Sequence, residues 1–354
     1  MDLSELGYNG DFRKSETEIL TEGFIPARIT SEHKERYTVI SAEGEFDAEI
    51  TGNMRYSAES REDFPAVGDW VSISVCDSDF AIINSIYPRR TVIKRRASGS
   101  KSDYQVIAAN VDCAFIVQAV DRDFSLNRLE RYLTICYESK VKPVVLLSKI
   151  DLFGEELIAE YSELVKGRIK DIPVILFSSE TKRGYEEIVS LIEKGKTYCL
   201  LGSSGVGKST LLNNLCHREI MKTGEISETT DRGKHVTSHR ELIMLESGGM
   251  LIDNPGMREL GIGGAEDGLE ITFGKIFSHA GECRYADCTH TVEEGCAVKE
   301  AVERGGIEKE YYENYLKMHK EQQHFESSAA EKKRKDKILG KVLKNYKKTH
   351  RNKY

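Results

Sequence analysis

The sequence predicts an α/β fold in three parts: a small all-β barrel, a largely parallel sheet covered by helices, and a short, mostly helical end rich in thiols. Three observations predict it. From Phe24 to about Arg96 the chain is a series of short β-like stretches separated by turn residues. From about residue 110 the pattern becomes apolar strands alternating with amphipathic helices. Beyond residue 280, three cysteines and a histidine fall within fourteen residues.

Composition bounds the possibilities. The 354 residues are 39% hydrophobic and 31% charged, as in ordinary globular proteins, and suffice for two or three domains. No apolar run approaches the roughly 18 residues of a membrane span, and MDLSELGYNG lacks the basic and apolar regions of a signal peptide. A cytoplasmic monomer without a membrane partner is expected, its eight cysteines serving as thiols or metal ligands rather than disulfides. The net charge of −7 is unevenly spread. Residues 331–354 hold eleven Lys and Arg against Glu331 and Asp336, which makes that tail about +9 and leaves about −16 on the rest. A basic tail on an acidic body predicts affinity for polyanions.

Taken in order, residues 1–22 read as a polar lead-in. FIPARIT, YTVIS, FDAEITG, DWVSISV and FAIINSIY then read as five strands with no long helix between them, the pattern of a small OB-like or SH3-like barrel. Trp70 is expected in its core. PRRTVIKRRAS, at 88–98, reads as a basic connector. Next come strand VDCAFIVQAV, a helix from Leu126 to Ser139, strand KPVVLLSK, helix EELIAEYSELVKG, strand DIPVILFSS, helix GYEEIVSLIEKG and strand TYCLLGSS. ELIMLES and GMLIDNP complete the sheet near residue 255. Such alternation means a parallel sheet with both faces covered. Ligands then bind in the loops beyond the strand carboxyl ends. The expected domains are 1–97, the barrel; 98–265, the sheet domain; and 266–354, the C-terminal domain with its basic tail.

Gly202-Ser203-Ser204-Gly205-Val206-Gly207-Lys208-Ser209 is a complete GxxxxGK[ST] phosphate loop, between a strand and a helix that continues from Thr210. Its glycines let backbone N–H groups curl around phosphates at a helix N-terminus. Lys208 supplies a cation to the β/γ-phosphates, and the Ser209 hydroxyl binds Mg²⁺. Asp253 and Gly256, in Asp-Asn-Pro-Gly after a buried strand, fit a DxxG motif: Asp253 toward Mg²⁺, the Gly256 N–H toward the γ-phosphate. Ser148-Lys149-Ile150-Asp151 is close to the Asn/Thr-Lys-x-Asp tetrad that reads guanine. Asp151 would accept from guanine N1–H and N2–H, and the Lys149 stem would lie along the base. Ser148 keeps a hydroxyl where Asn or Thr normally braces the phosphate loop, but loses reach. Ser178 and Ser179, ending the next strand, stand where a backbone N–H reads guanine O6. The order is tetrad, Ser178–Ser179 loop, phosphate loop, DxxG, which one cut and one join derive from the ordinary GTPase order. Domain termini at the surface make such a permutation tolerable. The sheet is therefore a circularly permuted P-loop GTPase domain, the middle part of an α/β fold that opens on the small β-barrel and closes on the mostly helical, thiol-rich end.

On these motifs the chain resembles the ribosome small-subunit-dependent GTPases (RsgA, YjeQ/YloQ type), over about residues 24–300. The resemblance implies the same three-part plan and a late assembly and maturation factor of the small (30S) ribosomal subunit. Such a factor binds 16S rRNA, takes GTP and GDP, and is released on GTP hydrolysis stimulated by the subunit. Two stretches fit the resemblance and also stand alone. Cys283-x4-Cys288-x-His290-x5-Cys296 offers four soft ligands, the set for one closed, structural Zn²⁺ site; His279 is a spare imidazole nearby. Asp231 to Arg240 resembles the family's switch, with Val236 where Thr is commoner. Thr237 is its expected hydroxyl over Mg²⁺ and the γ-phosphate, with Ser238 second. Met257 stands where GTPases place the Gln that orients water. His235 is the leading substitute and His239 the second. Two rival functions remain: an RNA-binding assembly scaffold with GTP as a structural ligand, and a P-loop ATPase.

Overall fold

The computed structural model describes residues 2–10, 12, 23–33, 36–96, 104–169, 171–217, 240–253 and 265–326. The chain divides into two compact units, Met1–Arg96 with Asp103–Leu260, and Ala97–Ser102 with Gly261–Tyr354. Among the described residues no helix is long and apolar enough to cross a membrane.

Five strands open the first unit: β1 (Ile25–His33), β2 (Arg36–Ser41), β3 (Glu45–Ile50), β4 (Trp70–Val75) and β5 (Phe80–Ile86). They pair in the order β1-β2-β3-β5-β4, and β4 returns to β1, closing a barrel. Only β3 and β5 run parallel, which is the OB order rather than an SH3-like one. Alternation sets the inner face: Tyr37 and Val39 of β2 and Phe46, Ala48 and Ile50 of β3 are buried while their neighbours face out. Trp70 is buried in the core as expected.

Two readings of the N-terminal hundred residues are corrected. The segment before the barrel is not a polar lead-in, because Leu6, Tyr8 and Phe12 are buried. Tyr8 packs edge-on against Trp70 with ring centroids 4.6 Å apart, and Phe12 lies 5.8 Å from the same ring. Nor is 88–98 a plain connector. Val92–Arg96 forms β6 and pairs antiparallel with β7 (Tyr104–Ala109). Three basic side chains there are matched within the molecule: Arg89 with buried Asp69, Arg90 with Asp112, Lys94 with Glu62. Burial raises the Asp69 carboxyl above its ordinary value, and the Arg89 guanidinium opposes that rise.

The second part of the unit is the expected sheet. Strands β8 (Cys113–Ala119), β9 (Lys142–Ser148), β10 (Val174–Leu176), β11 (Thr197–Leu201) and β13 (Met250–Asp253) are parallel, in the order β10-β9-β8-β11-β13. Strand β12 (Arg240–Met244) runs antiparallel to β13. Between them lie α2 (Leu126–Glu138), α3 (Glu155–Arg168), α4 (Tyr185–Ser190) and α5 (Lys208–Leu215), α1 being the single turn Gly52–Ser57 in the barrel. Phe115, Val117, Leu146, Phe177, Leu200 and Leu211 belong to one buried core. Helix α4 stops short of the expected Lys194. The Tyr198 hydroxyl accepts from the Glu193 N–H at 2.9 Å and donates to the Leu191 carbonyl at 2.6 Å, so it satisfies groups a further turn would have paired.

Barrel and sheet are continuous. β12 pairs with β1, Ser31 opposite Glu241 and Glu32 opposite Arg240, which makes one eleven-stranded sheet. The Arg240 Nη1 meets Glu32 Oε2 at 3.0 Å. At the same junction Arg28, 1% exposed, donates to the carbonyls of Leu6 and Gly68 and, at 2.7 Å, to the Thr197 hydroxyl. Burial lowers its guanidinium to about 10. Thr197 begins the strand that leads into the phosphate loop.

The second unit holds α6 (Glu266–Thr272), α7 (Gly274–Ala280), α8 (Ala297–Glu303) and α9 (Lys309–Glu326). Phe273 anchors its small core, 4.9 Å from Tyr311 and 5.5 Å from Tyr315 between ring centroids. Val298, Ile307 and Met318 are buried with them.

Candidate functional site: a nucleotide edge and a thiol–imidazole cluster

Because five strands are parallel, their carboxyl ends share one edge of the sheet. That edge gathers Ser148–Asp151, Ser178–Ser179, Gly202–Thr210 and Asp253, although the sequence scatters them over a hundred residues. Residues 218–239 and 254–264 lie outside the described set. That excludes His235, Val236, Thr237, Ser238, His239, Gly256 and Met257, and the tail 331–354 is outside it as well.

The phosphate loop is fixed from below. Gly202 has φ 145°, and a Cβ there would lie 2.3 Å from the Val117 carbonyl oxygen of the neighbouring strand. No side chain fits that approach. Val206 turns inward and joins the apolar core. Gly207, at φ 94°, precedes α5, whose first residue is Lys208. The Lys208 Nζ lies inside the loop, 2.9 Å from the Gly202 carbonyl and 2.5 Å from that of Ser203. Ser209 and Thr210 follow in the first turn of the helix, and Ser204 and Gly205 are exposed at the loop's tip. Asp253 ends β13 directly opposite Glu241. Burial raises its carboxyl above the ordinary value, Lys208 pulls it down and Glu241 pushes it up. A divalent cation at this carboxylate would relieve both unfavourable contributions.

The base-reading side differs from expectation at one residue. Ser148 does not fall short: its buried Oγ donates to the Val206 carbonyl at 2.7 Å, bracing the phosphate loop directly. Lys149 adopts a left-handed conformation (φ 62°, ψ 30°), and its Nζ meets Asp121 Oδ2 at 3.1 Å. Asp151 is exposed in the following 3₁₀ turn, with no hydrogen bond or ion pair among the described residues. In the next loop the Ser178 N–H is spent on the Arg183 carbonyl, and its hydroxyl accepts from the N–H groups of Glu180 and Thr181. The Ser179 N–H makes no hydrogen bond among the described residues. Gly184 closes this loop; a Cβ there would lie 2.1 Å from the Leu176 carbonyl oxygen. Sequence reasoning missed two residues of this edge, Asp121 and Arg128. A loop aspartate and a helix-front arginine carry no motif, and only the parallel pairing brings them to the nucleotide loops.

In the second unit Cys283, Cys288, His290 and Cys296 come together, each with a ligand atom within 4.8 Å of the others. Cys283 Sγ is 3.6 Å from His290 Nδ1 and 3.9 Å from Cys296 Sγ, and Cys296 Sγ is 3.4 Å from the same imidazole nitrogen. A tetrahedral Zn²⁺ with its usual bond lengths has edges of about 3.8 Å between sulfurs and about 3.5 Å from sulfur to nitrogen. The donor set fits. Burial raises the Cys283 thiol, but hydrogen bonds with the Val298 and Ala297 N–H groups and with the Cys288 and Cys296 thiols together leave it below its ordinary value. Burial lowers the His290 imidazole below its ordinary value, toward the neutral form that ligation requires. His279 stands apart beside Glu282, at 3.9 Å.

The chain was compared with known proteins. A model of the RsgA GTPase family matches residues 86–263. A model of ABC transporters matches 186–348, a span that shares the phosphate loop but contains neither Ser148–Asp151 nor Ser178–Ser179. The small ribosomal subunit biogenesis GTPase RsgA of Opitutus terrae is 39% identical over 332 residues, covering 91% of this chain and 90% of that protein. RsgA 1 of Oceanobacillus iheyensis is 41% identical over 327 residues, covering 91% of each. Among solved structures, YjeQ from Thermotoga maritima superposes with a TM-score of 0.62 at 26% identity, over 83% of this chain and 97% of that one. YloQ, described as a circularly permuted GTPase, shares the fold with a TM-score of 0.61 at 24% identity, over 87% of this chain and 98% of its own. Identity of this extent over nine-tenths of the chain, on a sheet whose nucleotide loops occur in permuted order, has one reading: the chain belongs to the RsgA family of GTPases.

Proposed function

We propose that the chain hydrolyses GTP to GDP and phosphate as a late assembly factor of the small (30S) ribosomal subunit, in the cytoplasm. It would bind 16S rRNA and leave when hydrolysis is stimulated by the subunit. The observation that carries the nucleotide part is the Ser148–Val206 hydrogen bond, which joins the guanine tetrad to the phosphate loop across the permuted chain order. The names of the relatives, small ribosomal subunit biogenesis GTPases, support the rest.

Within this reading Asp151, Lys149 and the Ser179 N–H recognise guanine. The N–H groups of Gly202 to Thr210 and the Lys208 ammonium hold the phosphates. Ser209, Asp253 and Thr237 would hold Mg²⁺, which neutralises charge on the β- and γ-phosphates when bound. His235 is the proposed residue that orients the attacking water, since Met257 offers it no polar atom. Cys283, Cys288, His290 and Cys296 hold one structural Zn²⁺ that contributes to the folding of the second unit. The barrel and the basic tail supply the contacts to rRNA. GTP turnover measured with and without purified 30S subunits tests the function: several-fold or greater stimulation is expected, and an unchanged rate overturns it.

A further inference from the structure

Arg128 belongs to no nucleotide-binding motif, yet it touches the phosphate loop. It lies in the first turn of α2, where its N–H is capped by the Ser125 hydroxyl. Its Nη1 donates to the Ser203 Oγ at 3.1 Å and to the Asp123 carbonyl at 3.3 Å. Among the described residues no carboxylate forms an ion pair with it. The guanidinium is therefore engaged by two neutral oxygens, one of them in the loop that cradles phosphate.

The second contact reaches the other half of the site. Asp123 belongs to the β8–α2 loop, and its N–H donates to Asp121 Oδ1 at 2.9 Å. Asp121 Oδ2 in turn accepts from Lys149 of the guanine tetrad at 3.1 Å. Strand β8 stands between β9, which ends in the tetrad, and β11, which ends in the phosphate loop. Its loop is thus placed to tie the two together: Ser203, Arg128, Asp123, Asp121 and Lys149 form one connected run of polar contacts. The Ser148–Val206 bond makes a second tie between the same two loops.

We propose that Arg128 is a positioning residue of the nucleotide site: it holds the phosphate loop through Ser203 in the shape that receives phosphates and couples that loop to the guanine-reading tetrad. This role rests on the proposed nucleotide function. A planar guanidinium fixes two acceptors at set angles, so it restrains a loop better than a flexible ammonium does. Holding the loop in its binding shape lowers the ordering cost of association, which appears as affinity.

The test compares the full-length wild type with Arg128→Met, Ser203→Ala and the double variant, by titration with fluorescent GDP and GTP and competition with ATP. Each single variant is expected to weaken binding of both guanine nucleotides about tenfold, the scale of one charge-assisted hydrogen bond. The double variant should be no weaker than the poorer single, because both changes remove the same hydrogen bond. The preference for GTP over ATP should be retained. Unchanged affinity in Arg128→Met, or losses that add in the double variant, overturns the brace. If Arg128→Met fails to fold by circular dichroism, Ser203→Ala alone decides: a tenfold loss supports the brace and wild-type affinity overturns it. A wild-type chain that binds neither GTP nor GDP overturns the nucleotide reading, and the brace with it, whereas normal wild-type binding with unaffected variants overturns the brace alone.

Discussion

Ser148 occupies the position where guanine-binding loops carry Asn or Thr, and its hydroxyl still reaches the Val206 carbonyl. Its identity was legible in the sequence but its reach was not, because reach depends on how closely β9 and the phosphate loop approach. Ser148→Ala leaves a buried carbonyl without its donor, which costs about 1–3 kcal/mol; calorimetric titration should show GTP affinity reduced fivefold or more. Gly202 was legible as a motif glycine, and the structure supplies the reason for it. Gly202→Ala drives a methyl into the Val117 carbonyl, so the variant should lose nucleotide binding and melt several degrees lower by calorimetry. In the proposed function Asp151 would read the guanine edge by accepting two hydrogen bonds. Asp151→Asn replaces an acceptor with an N–H₂ donor, and competition binding should show weaker GTP and relatively stronger xanthosine triphosphate, which presents an oxygen at that edge. Arg128 was not legible at all: an arginine in the first turn of an amphipathic helix reads as a solvated charge.

At the scale of elements, legibility followed periodicity. The central parallel strands are buried on both faces and read as continuous apolar runs such as VVLL, so they lay where the sequence placed them. Three apolar side chains without a period, Leu6, Tyr8 and Phe12, gave no such signal, although they cover the barrel's aromatic core. Strand β6 was hidden by its charges, since the partner that neutralises Lys94 is distant in sequence. The thiol–imidazole cluster is the opposite case, a local spacing that folding preserved. Because the second unit has a small core around Phe273, metal ligation should contribute strongly to its stability. Treatment with a strong chelator is expected to release one zinc ion, lower helical ellipticity and open that unit to protease, while GTP binding by the first unit persists. Retention of the full helical signal would exclude a structural role for the ion.

For the whole molecule, charge decides two further behaviours. Asp253 has its carboxyl raised above the ordinary 3.8, by burial first and by Glu241. A raised carboxylate binds protons more readily, and a cation must displace them. Mg²⁺-supported GTP binding should therefore hold at neutral pH and fall on acidification through the raised value, earlier than an ordinary aspartate would dictate; titrating GTP affinity against pH with and without Mg²⁺ measures it. The tail 331–354 carries about +9 of charge against an acidic remainder. Its deletion should weaken binding to the 30S subunit and flatten the dependence of log Kd on log salt, by close to one unit for each phosphate the tail neutralises. An unchanged slope would remove the tail from the interface.

The pairing of β1 with β12 joins barrel and sheet, and it also sets a timetable for synthesis. Glu32 and Arg240 are 208 residues apart in the chain. A barrel emerging first must wait, its β1 edge partly unpaired, until β12 has been translated. Open strand edges recruit other chains, and contacts of such separation form slowly. Nascent chains arrested before residue 240 should therefore associate more readily than chains arrested after residue 253. In this protein the last stitch of the barrel's first strand is supplied by β12, from the far side of the sequence.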